Sequence, residues 1–455
     1  MHIALTGATG FLGVRLVREL LARYERISVL AHAGSADPVE RIARHFQRAG
    51  VPEAGLGHRL RVVGIELTAP NLGLPAARFR DLADELDLVV HCAGGIDLEG
   101  RLSALRAVNV GGTRHVLELA TAGRRRPLLC HVSTAFVAGA RRSGVVYEDE
   151  LDGSWGFENP YEQSKYEAEL LVRAWSARQR RAAVVLRPSI LVDDRPPEPG
   201  LPAHPLQVVA RVVAATVGGL PQARDGSRDA LPGRGPLGGG SLGGGARGDG
   251  RGGDGVRGDG RGAGGPRGKR SDHRPRAGGA RGDDPGGDGR SDRGPRGGSD
   301  RGARLDVVRG RGLPDHEPLR RAAPPVRVAG EPDAHLNLMP VDDAAELIVK
   351  LVEAPPSGLV DTYHVVHERD VAVTELRQAF ERLFRIRSEL VDRRAPAGAP
   401  VLPMAGFAPY LRHRRRYDDS RVRQVLGSRP APRVVDADYL LAGLRAGAPA
   451  VGAAP

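Results

Sequence analysis

Tyr161 and Lys165 stand four residues apart in the segment NPYEQSKYEAE. On a helix that spacing puts a phenol and an ammonium on one face. A free tyrosine has a pKa of about 10 and a neighbouring ammonium favours its phenolate, so the pair suits proton transfer near neutrality. Upstream, the apolar run Leu128 to Val132 ends in Ser133 and Thr134. A hydroxyl at the carboxyl edge of a strand can hydrogen-bond a substrate carbonyl beside Tyr161, and either residue can instead cap a turn. Near the start, Thr6 to Gly13 reads TGATGFLG, a TGxxGxxG loop. Gly7 permits a tight turn, Gly10 lets backbone amides approach a pyrophosphate, and Gly13 lets helix and sheet pack closely. Thr6, Gly7, Thr9, Gly10, Phe11, Leu12 and Gly13 are therefore the candidate cofactor-binding residues of this loop.

These groups need a scaffold that brings strand ends together. From residue 1 to about 192, short apolar runs alternate with segments of helical period, as in βαβ units of a parallel sheet. The runs are His2 to Leu5, Ile27 to Leu30, Leu60 to Ile65, Asp87 to Cys92, Leu128 to Val132 and Ala183 to Leu186. Between the first two, Leu12, Leu16, Val17, Leu20 and Leu21 form one apolar stripe of a helix. For the helix carrying Tyr161, Asn159 suits the N-cap, Pro160 the first turn, and Glu162 the third position of a capping box. The expected fold is α/β: a Rossmann-type doubly wound parallel sheet over 1–220 and a smaller C-terminal α/β substrate region over 328–455. In the latter, His335 to Val341 and Val360 to Val366 read as strands, Asp342 to Val352 and Val373 to Phe384 as helices.

Between the two parts the composition breaks. Residues 231–300 hold 28 Gly, 13 Arg, 1 Lys and 9 Asp but only Leu231, Leu237, Leu242 and Val256 as large aliphatics. Such a stretch buries too little apolar surface to offset the entropy of ordering it, so 221–327 is expected to be a disordered Gly/Arg-rich insertion. Its bias fits either a low-complexity insertion or a shifted reading frame. Residues 231–300 contribute +5 of the formal charge of +12, and their arginines alternate with aspartates and lack aromatics for base stacking, so nucleic acid is not the expected partner. Two cysteines give neither a disulfide framework nor a zinc set, and no metal is expected. Cys92 and Cys130 read as buried strand residues. Leu206 to Leu220 is too short to span a bilayer and no signal-peptide pattern opens the sequence, which points to a cytoplasmic protein without a membrane span. The basic runs Arg124 to Arg126 and Arg412 to Arg416 read as solvated faces, with contact to the phosphates of coenzyme A as the alternative for either.

The segments TGATGFLG, HCAG (His91 to Gly94), VNVGGT (Val108 to Thr113), HVSTAFVAG (His131 to Gly139), NPYEQSKYEAE and LRPSI (Leu186 to Ile190) occur in the order of an extended short-chain dehydrogenase/reductase. LTAPNLGLP (Leu67 to Pro75) and HVSTAF resemble signatures of the fatty acyl-CoA reductase and thioester reductase branch, the male-sterility-like NAD-binding proteins. The resemblance covers about 1–192 and resumes near Val328. It implies that Thr134 acts with Tyr161 and Lys165, that Asn109 supports the active site, that Ala93 lies in the cofactor site, and that Pro188 and Ser189 lie near the nicotinamide. Lys165 would also bind the nicotinamide ribose.

Departures accompany it. Gly64-Ile65-Glu66-Leu67 stands where the family has Gly-Asp-Leu, leaving Glu66 for the adenine contact. His32 takes the place of an arginine suited to a 2′-phosphate, and no acidic residue ends that strand, so NADP(H) is favoured over NAD(H). Asp193 and Asp194 replace a glycine. The implied activity is NAD(P)H-dependent reduction of a carbonyl, above all an acyl thioester on coenzyme A or an acyl-carrier protein, to an aldehyde or alcohol. A sugar-nucleotide epimerase/dehydratase, a hydroxysteroid-type dehydrogenase, and an inactive dinucleotide-sensing or RNA-interacting protein stay open as alternatives.

Overall fold

The computed structural model describes residues 1–34, 37–52, 56–197, 200–218, 325–391, 401–402, 404–427 and 432–445. Its centre is a seven-stranded sheet of β1 (Ile3–Thr6), β2 (Ile27–His32), β3 (Leu60–Ile65), β4 (Leu88–His91), β5 (Leu128–Val132), β6 (Ala183–Pro188) and β7 (Val360–Val365). All neighbours are parallel, in the order β7-β6-β5-β4-β1-β2-β3. The strands read as continuous apolar runs because both faces of the sheet are covered. Alternation sorts them: Ile3, Leu5, Val29, Val90 and Leu186 enter one core, while Ala4, Leu30, Val89 and Val185 enter the other.

Helices α1 (Gly13–Arg23) and α2 (Pro38–Arg48) cover the first face, and α3 (Ala76–Glu85), α4 (Gly112–Ala122) and α5 (Pro160–Gln179) the second. In α1 the whole stripe Leu12, Leu16, Val17, Leu20 and Leu21 is buried. Residues beyond the Gly/Arg-rich stretch complete this layer. Strand β7 pairs with β6, and α6 (Val341–Glu353) packs Ala344, Leu347, Ile348 and Leu351 into the same core as α1. A second, smaller core joins the helix Pro205–Gly218 to the helix Val373–Phe384 through Leu206, Val209, Val213, Leu336, Leu376 and Phe407. The C-terminal residues thus serve both layers, and the described residues on either side of the insertion belong to one compact unit.

Four local expectations are corrected. The run His335 to Val341 is two short strands, His335–Leu336 and Leu338–Pro340, on different partners. Cys130 is fully buried in β5, but Cys92 lies just past the end of β4 and is half-buried. Strand Val326–Ala329 reaches into the span expected to be disordered, and the rest of that span, 221–324, lies outside the described residues. The run Arg412 to Arg416 is solvated on one face only, because the strand Arg414–Tyr417 adds to Ser143–Val146, exposing Arg414 and Arg416 while burying His413 and Arg415. Arg124 and Arg125 are exposed, as the charge run implies, and pair with Asp84 and Asp87.

Candidate active site

The strand order reverses at β1, whose neighbours β2 and β4 send the chain to opposite faces of the sheet, and the crevice opens at the carboxyl ends of β1 and β4. The glycine loop sits there. Gly7 has φ +74°, and a Cβ on it would lie 2.6 Å from the Ala93 amide nitrogen. A Cβ on Gly13 would fall 1.8 Å from the Gly7 carbonyl oxygen, so Gly13 is required by the loop's own backbone as well as by helix packing. Gly10 closes the turn through its N–H to the Gly7 carbonyl at 2.9 Å, and α1 carries no acidic residue in its first turn. This is a cradle that a dinucleotide diphosphate fits, at a helix N-terminus of partial positive charge.

Thr6 and Leu12 are buried, so their side chains shape the loop from beneath. The Thr6 hydroxyl accepts from the amides of Cys92 and Ala93 at 3.2 and 3.1 Å and pairs with His91 Nδ1 at 2.8 Å. His91 Nε2 meets Thr113 Oγ1 at 3.1 Å, and Thr113 donates to the Asn109 carbonyl at 2.6 Å. With Thr113 donating onward, Nε2 carries the ring proton and Nδ1 accepts from Thr6. Burial keeps His91 neutral, with its pKa pushed down to about 3.

Asn109 lies in a π-helical turn, Arg106–Gly111, and its side chain joins two parts of the site. Its Oδ1 accepts from Gly95 N at 2.8 Å, and its Nδ2 donates to Gly95 O at 3.1 Å and to Ser164 Oγ at 2.8 Å. The strand-end loop after β4 is thereby pinned to α5.

Helix α5 begins as its residue types require. Asn159 Oδ1 accepts from Glu162 N at 3.0 Å, Pro160 takes the first turn, and the Glu162 carboxylate reaches back to Glu158 N at 2.9 Å. Tyr161, half-buried, has the Thr134 hydroxyl as its near neighbour, and the Thr134 oxygen caps the turn Ala135–Ala138 by accepting from Phe136 N at 3.3 Å. The hydroxyl and turn-capping readings of Thr134 thus coexist. Ser133 is committed elsewhere, donating to buried Glu169 at 2.8 Å, and Glu169 in turn pairs with the fully buried Arg187 at 2.6 Å. Sequence reasoning missed this ion pair.

Lys165 is buried and donates to the Val132 carbonyl at 2.8 Å. Desolvation lowers its pKa to about 8. The expected lowering of Tyr161 is overturned: burial pushes the phenol up to about 12, only partly opposed by the neighbouring Thr134 hydroxyl. The phenol is therefore protonated, the form that can give a proton to a reduced carbonyl oxygen. Past β6, the Pro188 carbonyl accepts from Thr134 at 3.4 Å, and the buried Ser189 hydroxyl has no partner among the described residues. At the other end of the crevice, His32 Nε2 lies 3.0 Å from the Glu66 carboxylate, both exposed, so the ends of β2 and β3 form one polar pair. Among the described residues no cluster could hold a metal ion and no helix is long and apolar enough to cross a membrane.

Fold and site together define the class, an extended short-chain dehydrogenase/reductase. Residues 5–226 match the NAD-binding family described as male sterility protein, and this stretch of the chain belongs to it. The L-2-aminoadipate reductase large subunit of Eremothecium gossypii is 32% identical over 209 residues, covering 41% of this chain and 15% of that protein. The isonitrile lipopeptide synthase of Mycobacterium tuberculosis is 34% identical over 191 residues, covering 38% of this chain and 7% of that protein. The chain thus spans a small part of the length of these curated relatives. In fold it is similar to the terminal R domain from the myxalamid PKS-NRPS biosynthetic pathway, with a TM-score of 0.61 and 22% identity over 97% of this chain and 88% of that one.

Proposed function

We propose that this chain reduces an acyl thioester, presented on a carrier protein or on coenzyme A, with a reduced nicotinamide dinucleotide. The observation that carries the reading is the convergence of the Thr134 hydroxyl, the protonated Tyr161 phenol and the buried Lys165 ammonium beside a glycine cradle. The relatives support the thioester, since two are an aminoadipate reductase and a lipopeptide synthase, and a solved fold neighbour is a thiolation-reductase di-domain.

The glycine loop would hold the diphosphate, Lys165 the nicotinamide ribose, and Ser189 and Pro188 the nicotinamide. When bound, the dinucleotide supplies hydride to the carbonyl carbon. Thr134 and Tyr161 hold the carbonyl oxygen, and Tyr161 gives it a proton as the tetrahedral centre forms. Collapse of that hemithioacetal breaks the carbon–sulfur bond, releasing the carrier thiol and an aldehyde, while solvent restores the phenol proton. Lys165 places a positive charge where the phenolate develops. Asn109 keeps the strand-end loop and α5 in register.

For the cofactor we infer NADP(H) over NAD(H), because His32 ends β2 with a ring nitrogen that a 2′-phosphate can draw from Glu66. The ratio of NADPH to NADH affinity tests this, and tighter NADH binding would reverse it. Purified protein oxidising NADPH with an acyl thioester, and remaining inert toward UDP-sugars, is the result expected for the reaction. Turnover of UDP-sugars instead would replace thioester reduction by epimerase-type chemistry.

A further inference from the structure

His204 directly precedes the helix Pro205–Gly218, at the seam between the two layers. Phe11 of the glycine loop packs against the first core, and Leu206, two residues beyond His204, belongs to the second. The His204 and Phe11 rings lie 5.6 Å apart. The backbone here is fixed: His204 N donates to Gln207 Oε1 at 3.3 Å, and Gln207 Nε2 to the Gly443 carbonyl at 3.0 Å. Arg15 also packs on Phe11, its guanidinium 4.5 Å from the Phe11 ring and donating to the Phe11 carbonyl at 2.6 Å. The loop residue is thus held by a cation and faced by an imidazole.

That imidazole is buried, and among the described residues neither ring nitrogen has a hydrogen-bond partner. Two unpaired nitrogens in a buried ring are costly, and buried polar groups in native proteins are nearly always satisfied. A purely packing role at this position would be filled better by a phenylalanine. A neutral imidazole offers one donor and one acceptor, and a nucleotide diphosphate with its flanking riboses offers oxygens of both kinds.

We propose that His204 is a dinucleotide-binding residue, one ring N–H donating to a diphosphate oxygen lying over the glycine loop and the other nitrogen accepting a ribose hydroxyl. The proposal rests on the cofactor reading above. It ties the substrate-side layer to the cofactor, since the same short segment that begins the helix Pro205–Gly218 would close on the bound diphosphate.

Titration of NADPH, NADH and ADP-ribose into the purified full-length chain, by nucleotide fluorescence or calorimetry, tests it. His204→Phe keeps a ring against Phe11 and should weaken all three ligands by roughly tenfold, the scale of losing one or two hydrogen bonds. Without nucleotide its thermal midpoint should equal or exceed that of the wild type, because carbon replaces unpaired nitrogen. His204→Asn, which restores one donor and one acceptor, should recover most of the affinity, and it carries the test should the Phe variant fold poorly. Unchanged affinity in His204→Phe, or a loss for NADPH without one for ADP-ribose, would overturn the assignment to the diphosphate. A wild type that binds none of the three would instead bring down the cofactor reading itself.

Discussion

Tyr410 Oη accepts a hydrogen bond of 2.6 Å from Asn159 Nδ2 across 251 residues of sequence. Asn159 is the N-cap of α5, so a residue from the C-terminal part holds the cap that orients Tyr161 two positions later. With its oxygen accepting from Asn159, the Tyr410 hydroxyl is free to donate to buried Glu162. Asn159, Tyr410 and Glu162 thus gather beneath the first turn, flanked by the Phe136 ring at 4.8 Å from that of Tyr410.

Tyr410→Phe keeps that ring packing and removes the hydroxyl. The expected result is a several-fold fall in kcat, dinucleotide affinity close to wild type, and a stability loss of about 1 kcal/mol, the scale of one buried hydrogen bond. Unchanged kcat would show that α5 holds Tyr161 without help from the C-terminal part.

Tyr161→Phe deletes the proton donor while leaving the glycine loop intact. Turnover should fall by roughly 10² to 10⁴, the range for a general acid, with NADPH affinity nearly unchanged. Wild-type turnover would remove Tyr161 from the reaction.

The pH profile follows from Lys165. Its pKa is lowered to about 8, so the ammonium is present below that pH and lost above it. The rate parameter kcat/KM, which reports the free enzyme, should therefore decline as pH rises through about 8 rather than near 10.5. In Lys165→Arg the guanidinium keeps its charge, so whatever activity survives should show no such decline. A wild-type profile flat to pH 10 would contradict the role given to Lys165.

Two glycines of one loop should respond differently. Gly13→Ala places a methyl 1.8 Å from the Gly7 carbonyl, whereas at Gly10 the corresponding distance is 3.2 Å. Gly13→Ala should lower unfolding free energy by about 3 kcal/mol or more through overpacking. Gly10→Ala should fold nearly normally yet bind dinucleotide more weakly. Thermal denaturation beside nucleotide titration separates the two, and equal stability of both variants would mean that the loop relaxes around Gly13.

The departure at Asp193 has a physical account in the ion pair it makes with Arg15, both nearly fully buried, and Arg15 also lies 3.4 Å from Asp342 of α6. Asp193→Asn leaves the Arg15 charge with weakened compensation and should cost about 3 kcal/mol or more. Replacing both partners, Arg15→Met with Asp193→Leu, should recover much of that loss. A double variant no more stable than the single one in urea denaturation would show that Asp342 already compensates Arg15 in the single variant.

The elements near the cofactor were legible in sequence because they are local. Period-two and helical apolar patterns, the glycine spacing, and the Asn159-Pro160-Glu162 start of α5 are all set by backbone sterics and hydrogen bonding within a few residues. Side chains that act across the fold left no such trace. Tyr410 on Asn159, Arg187 on Glu169 and Arg15 on Asp193 are separated by 251, 18 and 178 residues, and nothing in the local pattern pairs them. The Tyr161 pKa was misread for a related reason. Spacing puts Lys165 on its helical face, but only the packed structure shows the phenol raised by burial and Lys165 turned to the Val132 carbonyl. The sequence by itself determined the α/β layering, the dinucleotide loop and the YxxxK helix, since these follow from short-range geometry. Tertiary structure alone decided that Ser133 is committed to Glu169, that β7 and α6 complete the first layer, and that His204 is buried against the loop. Those choices depend on which surfaces meet, and desolvation and long-range hydrogen bonds take their values only once they do.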